Sequence, residues 1–388
     1  MSEWKKVKLG DISLCIQPGP FGTQLHNSDY TDKGVPVIMP KDMIDGRVFH
    51  DKLEHVSEET ANRISRHKVD AGDIMVARKG DVRKCIYIRE SEKGWITGSD
   101  CLKMQLNQNI CNSKFIYFQL RSPYIGAWLQ QVSKGATMPS LNTSLLSNIE
   151  IVLPPIPTQN SIAEILFHYD SLIENYQKQI KLLEEAAQRL YKEWFVDLHF
   201  PGHENTKIVD GVPEGWEKKK VGDLVAKVQR TKQVPANEYL KTGNIPVIDQ
   251  SRNYIAGYTN DSECMVRVTT PYIVFGDHTR VLKYIPFSFA KGADGTQLIM
   301  SNDLKRMPQS LFYICLIDID LSNYSYARHF KYLKEESILV PLVSIATSYD
   351  NIVAKYYHCI QKNRENIRLL TEARDRLLPK LMSGEMAV

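Results

Sequence analysis

Residues 173–194 have the sequence IENYQKQIKLLEEAAQRLYKEW, and the architecture of the chain can be worked out from this stretch. Apolar and aromatic side chains recur at alternating steps of three and four residues, the spacing found along the contact face of a coiled coil. The predicted face consists of Ile173, Tyr176, Ile180, Leu183, Ala187, Leu190 and Trp194. We therefore expect an amphipathic helix over residues 160–198 that packs against a second helix.

A second stretch, residues 344–382, has the same spacing and predicts that partner. Its contact face would hold Val353, Tyr356, Ile360, Asn363, Ile367, Leu370, Arg374 and Leu377. Asn363 is polar within a largely apolar stripe, so we expect it to fix the register of the pair. Ser161 and Glu164 fit a capping box at the start of the first helix, and Pro379 is expected to end or kink the second.

The composition is that of an ordinary globular protein with more than one domain. The chain has 388 residues, of which 43% are hydrophobic and 24% are charged. The net charge of +4 is too small to indicate nucleic-acid binding by itself. The seven cysteines contain no C-x-x-C pair, which disfavours a disulfide framework or a zinc ribbon and predicts reduced thiols. The N-terminus has no apolar signal core, so we expect a cytoplasmic protein.

A long-period repeat relates the two halves of the chain. Residues 4–12 match residues 216–224 at an offset of 212, through a Trp, a Lys cluster and a Gly-Asp pair. Four shorter matches follow in the same order: residues 36–38 with 246–248, 80–81 with 276–277, 98–100 with 292–294, and 151–154 with 338–341. Their offsets fall from 210 to 187, as a duplication with deletions in the second copy predicts.

The predicted fold is α+β, with two globular α/β domains separated by two long antiparallel coiled-coil helices and an approximate two-fold internal repeat. The predicted boundaries are 1–153 for the first domain, 154–200 for the first helix, 201–340 for the second domain and 341–388 for the second helix. Strands are expected at residues 35–39, 74–77, 85–89, 245–248, 272–275 and 281–285, and short helices near 113–121 and 309–317. The alternative for the long helices is that each packs only on its own domain.

Basic residues cluster in both predicted domains, where cations would bind phosphates, and amides or guanidinium groups would bind base edges. The candidate DNA-binding residues of the first domain are Gln24, Arg78, Lys79, Arg83, Lys84, Lys134 and Asn142. Those of the second are Arg230, Lys232, His278, Arg280, Lys283, Arg328 and Lys331. Each cluster taken singly is also compatible with a solvated surface. The Gly-Asp loops gain weight because they recur in both copies.

Several of these segments resemble the specificity (S) subunits of type I restriction-modification systems. The similar segments are residues 4–12, residues 135–142 (GATMPSLN) and residues 151–166, which begin IVLPPIPTQ. Residues 182–195 and 374–385 resemble the central and C-terminal conserved regions of that family. The second copy departs from the pattern, because residues 328–333 stand where the first copy has its MPSLN segment.

The resemblance implies a DNA-binding subunit without catalysis of its own. Two target-recognition domains would each recognise one half of a bipartite site in double-stranded DNA. The helices would set the gap between the half-sites and dock two methyltransferase (M) subunits, which restriction (R) subunits then join. No cofactor is expected on this chain, because S-adenosylmethionine, ATP and magnesium would belong to the partner subunits. No membrane contact is expected.

The sequence also lacks the usual motifs of DNA-modifying enzymes. An adenine methyltransferase needs an Asn/Asp-Pro-Pro-Tyr/Phe loop, but Pro154 and Pro155 are flanked by Leu153 and Ile156. No GxxxxGK(S/T) phosphate loop occurs, and the pair 277–278 (Asp-His) has no companion carboxylate at ligand spacing. Two alternatives stay open: a nuclease or methyltransferase that acts alone, and a coiled-coil adaptor that does not contact DNA.

Overall fold

The structure is a computed structural model that describes residues 4–132, 140–293, 295–324 and 328–388. The chain divides into two compact units. Unit 1 contains Met1–Glu174 and Arg368–Val388, and unit 2 contains Asn175–Ile367. Each unit therefore combines one globular part with a portion of both long helices. Among the helices of the described ranges, none has the length and hydropathy of a membrane span.

Unit 1 is a mixed structure in which two sheets form the centre of the globular part. Its strands are β1 (Lys5–Lys8), β2 (Ser13–Pro18), β3 (Tyr30–Thr31), β4 (Val35–Ile38), β5 (Met43–Ile44), β6 (Arg47–Val48), β7 (Glu54–Val56), β8 (Ile74–Ala77), β9 (Cys85–Tyr87), β10 (Ile96–Thr97), β11 (Cys101–Leu106) and β12 (Glu150–Leu153). Its helices are α1 (Glu58–Arg63), α2 (Ser113–Leu120), α3 (Pro123–Val132), α4 (Thr143–Ser147) and the first part of α5 (Ile156–Tyr191). The two central sheets have the strand orders β10-β4-β7-β3 and β2-β11-β8-β9, while β1 pairs with β12 and β5 with β6.

Unit 2 has a similar mixed structure. Its strands are β13 (Ile208–Val209), β14 (Val212–Pro213), β15 (Glu217–Lys220), β16 (Ile245–Ile248), β17 (Gly257–Thr259), β18 (Met265–Val266), β19 (Tyr272–Gly276), β20 (Leu282–Ile285), β21 (Phe289–Lys291), β22 (Thr296–Ile299) and β23 (Ser337–Val340). Its helices are α6 (Val221–Leu224), α7 (Gln309–Asp318), α8 (His329–Glu335) and most of α9 (Val343–Met382). The sheet orders are β17-β16-β21-β18 and β20-β19-β22, and β13 pairs with β14 and β15 with β23.

The predicted α+β class is confirmed, and all six predicted strand segments form strands. Their ends differ from the prediction by at most two residues, as in β9, which ends at Tyr87 rather than at residue 89. Among these segments β4, β8, β16 and β19 lie in the interior of their sheets, whereas β9 and β20 are edge strands. All four residues of β8, for example, are buried between β11 and β9. The two short helices expected near 113–121 and 309–317 are α2 and α7.

The internal repeat is reproduced in the strand registers of the two units. Positions related by the sequence offsets pair with each other in both copies. The corresponding pairs are Lys5 with Leu153 and Glu217 with Val340 in the antiparallel ladders, and Ile38 with Thr97 and Ile248 with Lys291 in the parallel ladders. Four of the five sequence matches flank or lie in these ladders, so they mark the framework that both copies share.

The fifth match, between the two Gly-Asp pairs, is wrong as an alignment. Backbone hydrogen bonds show that Arg78 corresponds to Asp277. The N–H of Arg78 donates to the residue just before β11, and its carbonyl accepts a bond from residue 141. In the same way, the N–H of Asp277 donates to the residue just before β22, and its carbonyl accepts a bond from residue 329. Gly80 lies within the hairpin that follows β8, with a φ of +78°, whereas Gly276 is the last residue of β19. The hairpins therefore occupy equivalent places, but their Gly-Asp pairs do not.

Within unit 2 the long helices pack antiparallel through their predicted contact faces. Gln179 accepts a hydrogen bond from Asn363 at 3.1 Å, and Ala187 O accepts one from the Tyr349 hydroxyl at 3.2 Å, so α9 numbers fall as α5 numbers rise. Of the predicted contact residues in unit 2, Ala187, Trp194, Val353, Ile360 and Asn363 are buried, and Tyr176, Ile180, Leu183, Leu190, Tyr356 and Ile367 are half-buried. The same core also holds sheet residues, so the helices pack both on each other and on the globular part.

Within unit 1 a buried ion cluster joins the two helices. The Asp170 carboxylate, 5% exposed, accepts hydrogen bonds from Arg374 at 2.6 Å and from Arg121 at 3.2 Å. The hydroxyl of Tyr117 lies 3.4 Å from the same carboxylate. Among the other predicted contact residues of this unit, Ile173 is buried and Leu370 and Leu377 are half-buried.

The predicted helix ends need two corrections. Helix α5 begins at Ile156, so Ser161 lies in its second turn and cannot be the capping residue. The start is instead held by Gln159, whose side chain donates to Pro154 O at 2.7 Å and accepts from the Asn112 N–H at 2.8 Å. A π-helical turn, Lys192–Val196, follows α5. Helix α9 continues past Pro379 to Met382, so the proline does not end it.

Asp170→Ala should strongly destabilise unit 1, because it leaves two buried guanidinium groups without their shared carboxylate. We expect a loss of about 3–5 kcal/mol in the free energy of unfolding, measured by urea denaturation. The matched control is Asp350→Ala in unit 2, at the repeat-related position, where the carboxylate accepts a bond from Ser310. This variant should lose only about 1 kcal/mol. Equal losses in the two variants would contradict the importance of the ion cluster.

Candidate nucleic-acid interface

The loop at residues 17–24 lies on the surface of unit 1 and has a fixed backbone. Gly19 N–H donates to Cys101 O at 3.0 Å, and a Cβ atom at this position would lie 1.9 Å from the Gly98 carbonyl oxygen. Glycine is required for so close an approach. Phe21, two residues later, leaves 55% of its surface exposed. The loop thus presents an aromatic ring from a rigid support.

Gln24 closes this loop and connects it to the basic segment 63–68. Its carbonyl oxygen accepts a bond from Arg63 at 3.1 Å, and its side-chain oxygen lies 3.2 Å from His67 Nε2. Burial and the charge of Arg66 lower the pKa of His67 to about 4, so the imidazole is neutral at pH 7. The sequence indicated both segments separately. The structure brings them together as one basic surface.

The hairpin after β8 contributes four predicted cations, three of which already have protein partners. Lys79 lies 3.1 Å from Asp100, and Lys84 donates to Pro40 O at 2.7 Å. Arg83 binds Asp81 at 2.8 Å and lowers the pKa of that carboxyl. The fourth cation, Arg78, lies with its guanidinium carbon 5.8 Å from the centre of the Phe21 ring. We call Phe21, Gln24, Arg63, Arg78 and Lys79 the unit 1 patch.

Two further candidates of unit 1 belong to the segment before β12. Lys134 lies outside the described residues. Asn142 is the N-cap of α4, and its side-chain oxygen accepts the Leu145 N–H at 2.8 Å. This oxygen therefore stabilises the N-terminus of α4, whereas the side-chain nitrogen of the exposed Asn142 is not part of the cap.

In unit 2, Arg230 and Lys232 lie on an irregular segment between α6 and β16. Arg230 is exposed, and its positive charge adds to burial in lowering the pKa of Lys291. Lys232 lies 2.6 Å from Asp261. By the offset of 212, this segment corresponds to the loop that carries Phe21 in unit 1.

The hairpin after β19 is tied to α8 by the buried side chain of Asp277. The Asp277 carboxylate accepts a hydrogen bond from the Phe330 N–H at 2.8 Å. The backbone carbonyl of Asp277 accepts one from the His329 ring at 2.8 Å. Arg280 has a φ of +61° and donates to Leu321 O at 3.0 Å. Three predicted residues, His278 on the hairpin and Arg328 and Lys331 at the start of α8, are exposed on these linked segments. We call these three the unit 2 patch.

Lys283 must be removed from the candidate set, because it is not a surface residue. Its side chain is 4% exposed and donates to the backbone carbonyls of Asp249, at 2.8 Å, and Asn253. Burial lowers its pKa to about 8. Its position in β20 points the side chain into the unit, which the basic local sequence did not reveal.

The list of candidate residues left out Phe21, Arg63 and Arg66, although they lie in the loop at residues 17–24 and in the basic segment 63–68. The signal available was the sequence Pro20-Phe21-Gly22, which places an aromatic side chain in a turn. The basic segment 63–68 was visible as a cluster, but nothing in the local sequence showed that it would meet Gln24.

The described residues contain no group of three His, Cys, Asp or Glu side chains that could hold a metal ion. All seven cysteines are free, and five of them are buried. Burial raises the pKa of Cys85 to about 12 and that of Cys111 to about 11, so these thiols stay protonated at neutral pH. The two patches offer cations, amides and an aromatic ring, which can bind the phosphates and base edges of a nucleic acid.

Comparisons with known proteins agree on one family. The family model for the type I restriction modification DNA specificity domain matches residues 1–185. The MjaIX specificity subunit of Methanocaldococcus jannaschii is 26% identical to this chain, over 100% of the chain and 94% of the relative. Residues 1–185 therefore match a type I restriction modification DNA specificity domain, and the chain over its whole length is similar to a type I specificity subunit.

Other specificity subunits are also similar to this chain, one in sequence and one in fold. The HindI specificity subunit of Haemophilus influenzae is 24% identical over 51% of this chain and 42% of the relative. The crystal structure of a type I S subunit from M. genitalium has the same fold, with a TM-score of 0.64 and 17% identity over 97% of this chain and 96% of that one. The family model ends within α5, and unit 2 is related to the matched region by its strand registers.

The substitution Lys283→Met should change how the free energy of unfolding depends on pH, because it removes a buried titrating group. Burial lowers the pKa of Lys283 from 10.5 to about 8, so the folded chain binds fewer protons than the unfolded chain between these pH values. Its contribution to the free energy of unfolding therefore rises with pH over this window. We expect the difference, wild type minus variant, to increase by up to about 3 kcal/mol.

The measurement is urea denaturation of both proteins at several pH values from about 8 to 10, and all other titrating groups are common to the two chains. A difference that stays constant or falls with pH would contradict the burial of a charged Lys283.

Proposed function

We propose that this chain is a specificity subunit that recognises a bipartite DNA site and that unit 1 and unit 2 each contact one half-site. One observation carries the proposal: the two units share the registers of their ladders but carry different exposed side chains on corresponding loops. A duplicated framework with diverged loops fits two related binding tasks with different targets.

The loops differ in the groups that would meet a base. The segment with Phe21 and Gln24 in unit 1 corresponds to a segment with Arg230 and Lys232 in unit 2. Base pairs are distinguished in the major groove by their donors, acceptors and methyl groups. Unlike loops therefore favour unlike half-sites, and the full target would be asymmetric.

The purified chain should bind double-stranded DNA weakly alone, and strongly and sequence-selectively with its methyltransferase partner. Affinity should fall steeply between about 50 and 200 mM salt, because Lys and Arg contacts to phosphates release counterions. Fluorescence anisotropy with cognate and unrelated duplexes measures both effects. Equal affinity of the full complex for unrelated duplexes would show that the proposal is wrong.

We also infer that the long helices dock two methyltransferase subunits and that restriction subunits join this complex. Exposed leucines on both helices support a docking role, since Leu172, Leu182 and Leu369 each leave at least 45% of their surface exposed. S-adenosylmethionine, ATP and magnesium would then serve the partner subunits. Methylation or cleavage of DNA by the isolated chain, supplied with S-adenosylmethionine or magnesium, would favour the stand-alone enzyme instead.

The helices are also proposed to set the gap between the half-sites. Inserting one heptad after Glu174 and another after Ile367, the residues at which the two units divide, should leave the packing face of each unit intact. Each insertion adds about 10 Å of helix. We expect the preferred gap to lengthen by about three base pairs at 3.4 Å each, while the half-site sequences stay the same.

Sequencing of methylated DNA from cells that express the variant complex would report both the gap and the half-sites. The matched control inserts seven residues in the loop between β13 and β14, which should change neither. Changed half-site sequences in the helix variant would refute the spacing role.

A further inference from the structure

Arg78 has a fixed backbone at the end of a buried strand. It follows Ala77, the last residue of β8, whose side chains are all buried. Its N–H donates to Asp100 O at 2.7 Å, and its carbonyl accepts the Leu141 N–H at 2.8 Å. Its Cα therefore belongs to the rigid framework of unit 1, and the residue as a whole is half-buried.

The guanidinium of Arg78 lies beside the Phe21 ring and has no hydrogen bond or ion pair in the part of the chain that the structure describes. Its carbon atom lies 5.8 Å from the ring centre. The neighbouring cations differ: Lys79 is paired with Asp100, Arg83 with Asp81, and Arg63 with Asp29. Arg78 thus keeps its donor groups available where its neighbours do not.

A guanidinium supported by an aromatic ring suits a base edge better than a phosphate. The neighbouring ring limits the space open to the planar group, so less freedom is lost when its two parallel N–H groups bind two acceptors. Guanine presents two such acceptors, O6 and N7, in the major groove. A phosphate would be satisfied by charge alone, and an exposed phenyl ring beside it would gain little.

We propose that Arg78 binds the O6 and N7 atoms of one guanine in the half-site of unit 1, and that Phe21 is the positioning residue that orients its guanidinium. This inference rests on the proposed function, because it requires that unit 1 contacts base edges. It adds to that function which residue makes the contact, which base is contacted and in which groove.

Unit 2 cannot use the same device, which makes the inference specific to one half-site. The residue that corresponds to Arg78 is Asp277, whose carboxylate is buried and holds α8. The offsets of 212 and 210 found on either side place Phe21 opposite residues 231–233, Thr-Lys-Gln, none of which is aromatic. Loss of Arg78 should therefore relax one position in one half-site and leave the other half-site unchanged.

The test uses the full complex with its methyltransferase partner and the substitution Arg78→Lys, which keeps the charge and removes the planar fork. Methylated motifs are read by sequencing, and affinities are measured on duplexes that differ at single base pairs. We expect one guanine to become tolerant of substitution, and affinity for the wild-type target to fall about 10- to 100-fold. Affinity for unrelated DNA and the salt dependence should not change.

Phe21→Leu should weaken discrimination at the same guanine by a smaller factor, and the double variant should be no worse than Arg78→Lys alone. Arg89→Lys, in the same unit but paired with Glu174, is the matched control and should keep full discrimination. Thermal unfolding of each variant verifies that unit 1 stays folded.

Several outcomes would overturn the inference. These are unchanged discrimination in Arg78→Lys, an equal loss on all duplexes, or a unit 1 half-site without guanine. An equal loss of affinity on all duplexes would mean that Arg78 binds a phosphate and not a base. If the wild-type complex itself showed no sequence preference, the proposed function would fail, whereas a selective wild type with an equally selective Arg78→Lys would refute only the role of Arg78.

Discussion

A short antiparallel ladder closes each unit and fixes where its long helix departs. In unit 1, β1 pairs with β12, and in unit 2, β15 pairs with β23 in the same register. One further bond extends each ladder, from Leu9 N–H to Ile149 O and from Val221 N–H to Glu336 O. The chain thus leaves and re-enters the framework at adjacent points. Segments between these points can change in length or sequence without moving the helix that follows.

Close packing beside the ladder explains why the Gly-Asp pair at its end recurs in both copies. A Cβ atom on Gly10 would lie 2.0 Å from the Ser147 hydroxyl oxygen, and one on Gly222 would lie 3.1 Å from Lys334 O. Sequence comparison found this pair because a steric demand conserves it within the chain. The pair at Gly80 and Gly276 has no common demand, so its similarity misled the alignment of the hairpins.

Features set by a local constraint could be predicted from the sequence, and features that depend on distant contacts could not. Periodicity predicted the helices and the strands, because burial of one face is a local property of the sequence. Charge clustering failed for Lys283, whose burial depends on the carbonyls of a distant loop at residues 249–253, and the capping pattern failed for Ser161, because α5 already begins at Ile156. Candidate cations were located by sequence. Which of them carry protein partners depends on tertiary contacts, as Arg83 and Arg78 illustrate.

The two cores solve the same packing problem with different chemistry. Where unit 1 pairs Asp170 with Arg374, unit 2 has Asp350 bonded to Ser310, near the Tyr284 and Tyr357 rings, which stack with their centres 4.5 Å apart. By the offset of 187, Ala187 stands at the position of Arg374. A buried ion pair is specific because a wrong partner leaves a charge unpaired. Each helix portion therefore matches its own globular part.

The division of the chain also has a temporal consequence during synthesis. Unit 2 is continuous from Asn175 to Ile367, but unit 1 needs both chain ends, and Trp4 packs against Gly384. Domains emerging from the ribosome usually fold in order from the N-terminus. Here the unit made first cannot be completed until Arg368–Val388 has been translated, and Asp170 must wait for Arg374. The later unit can finish folding before the earlier one.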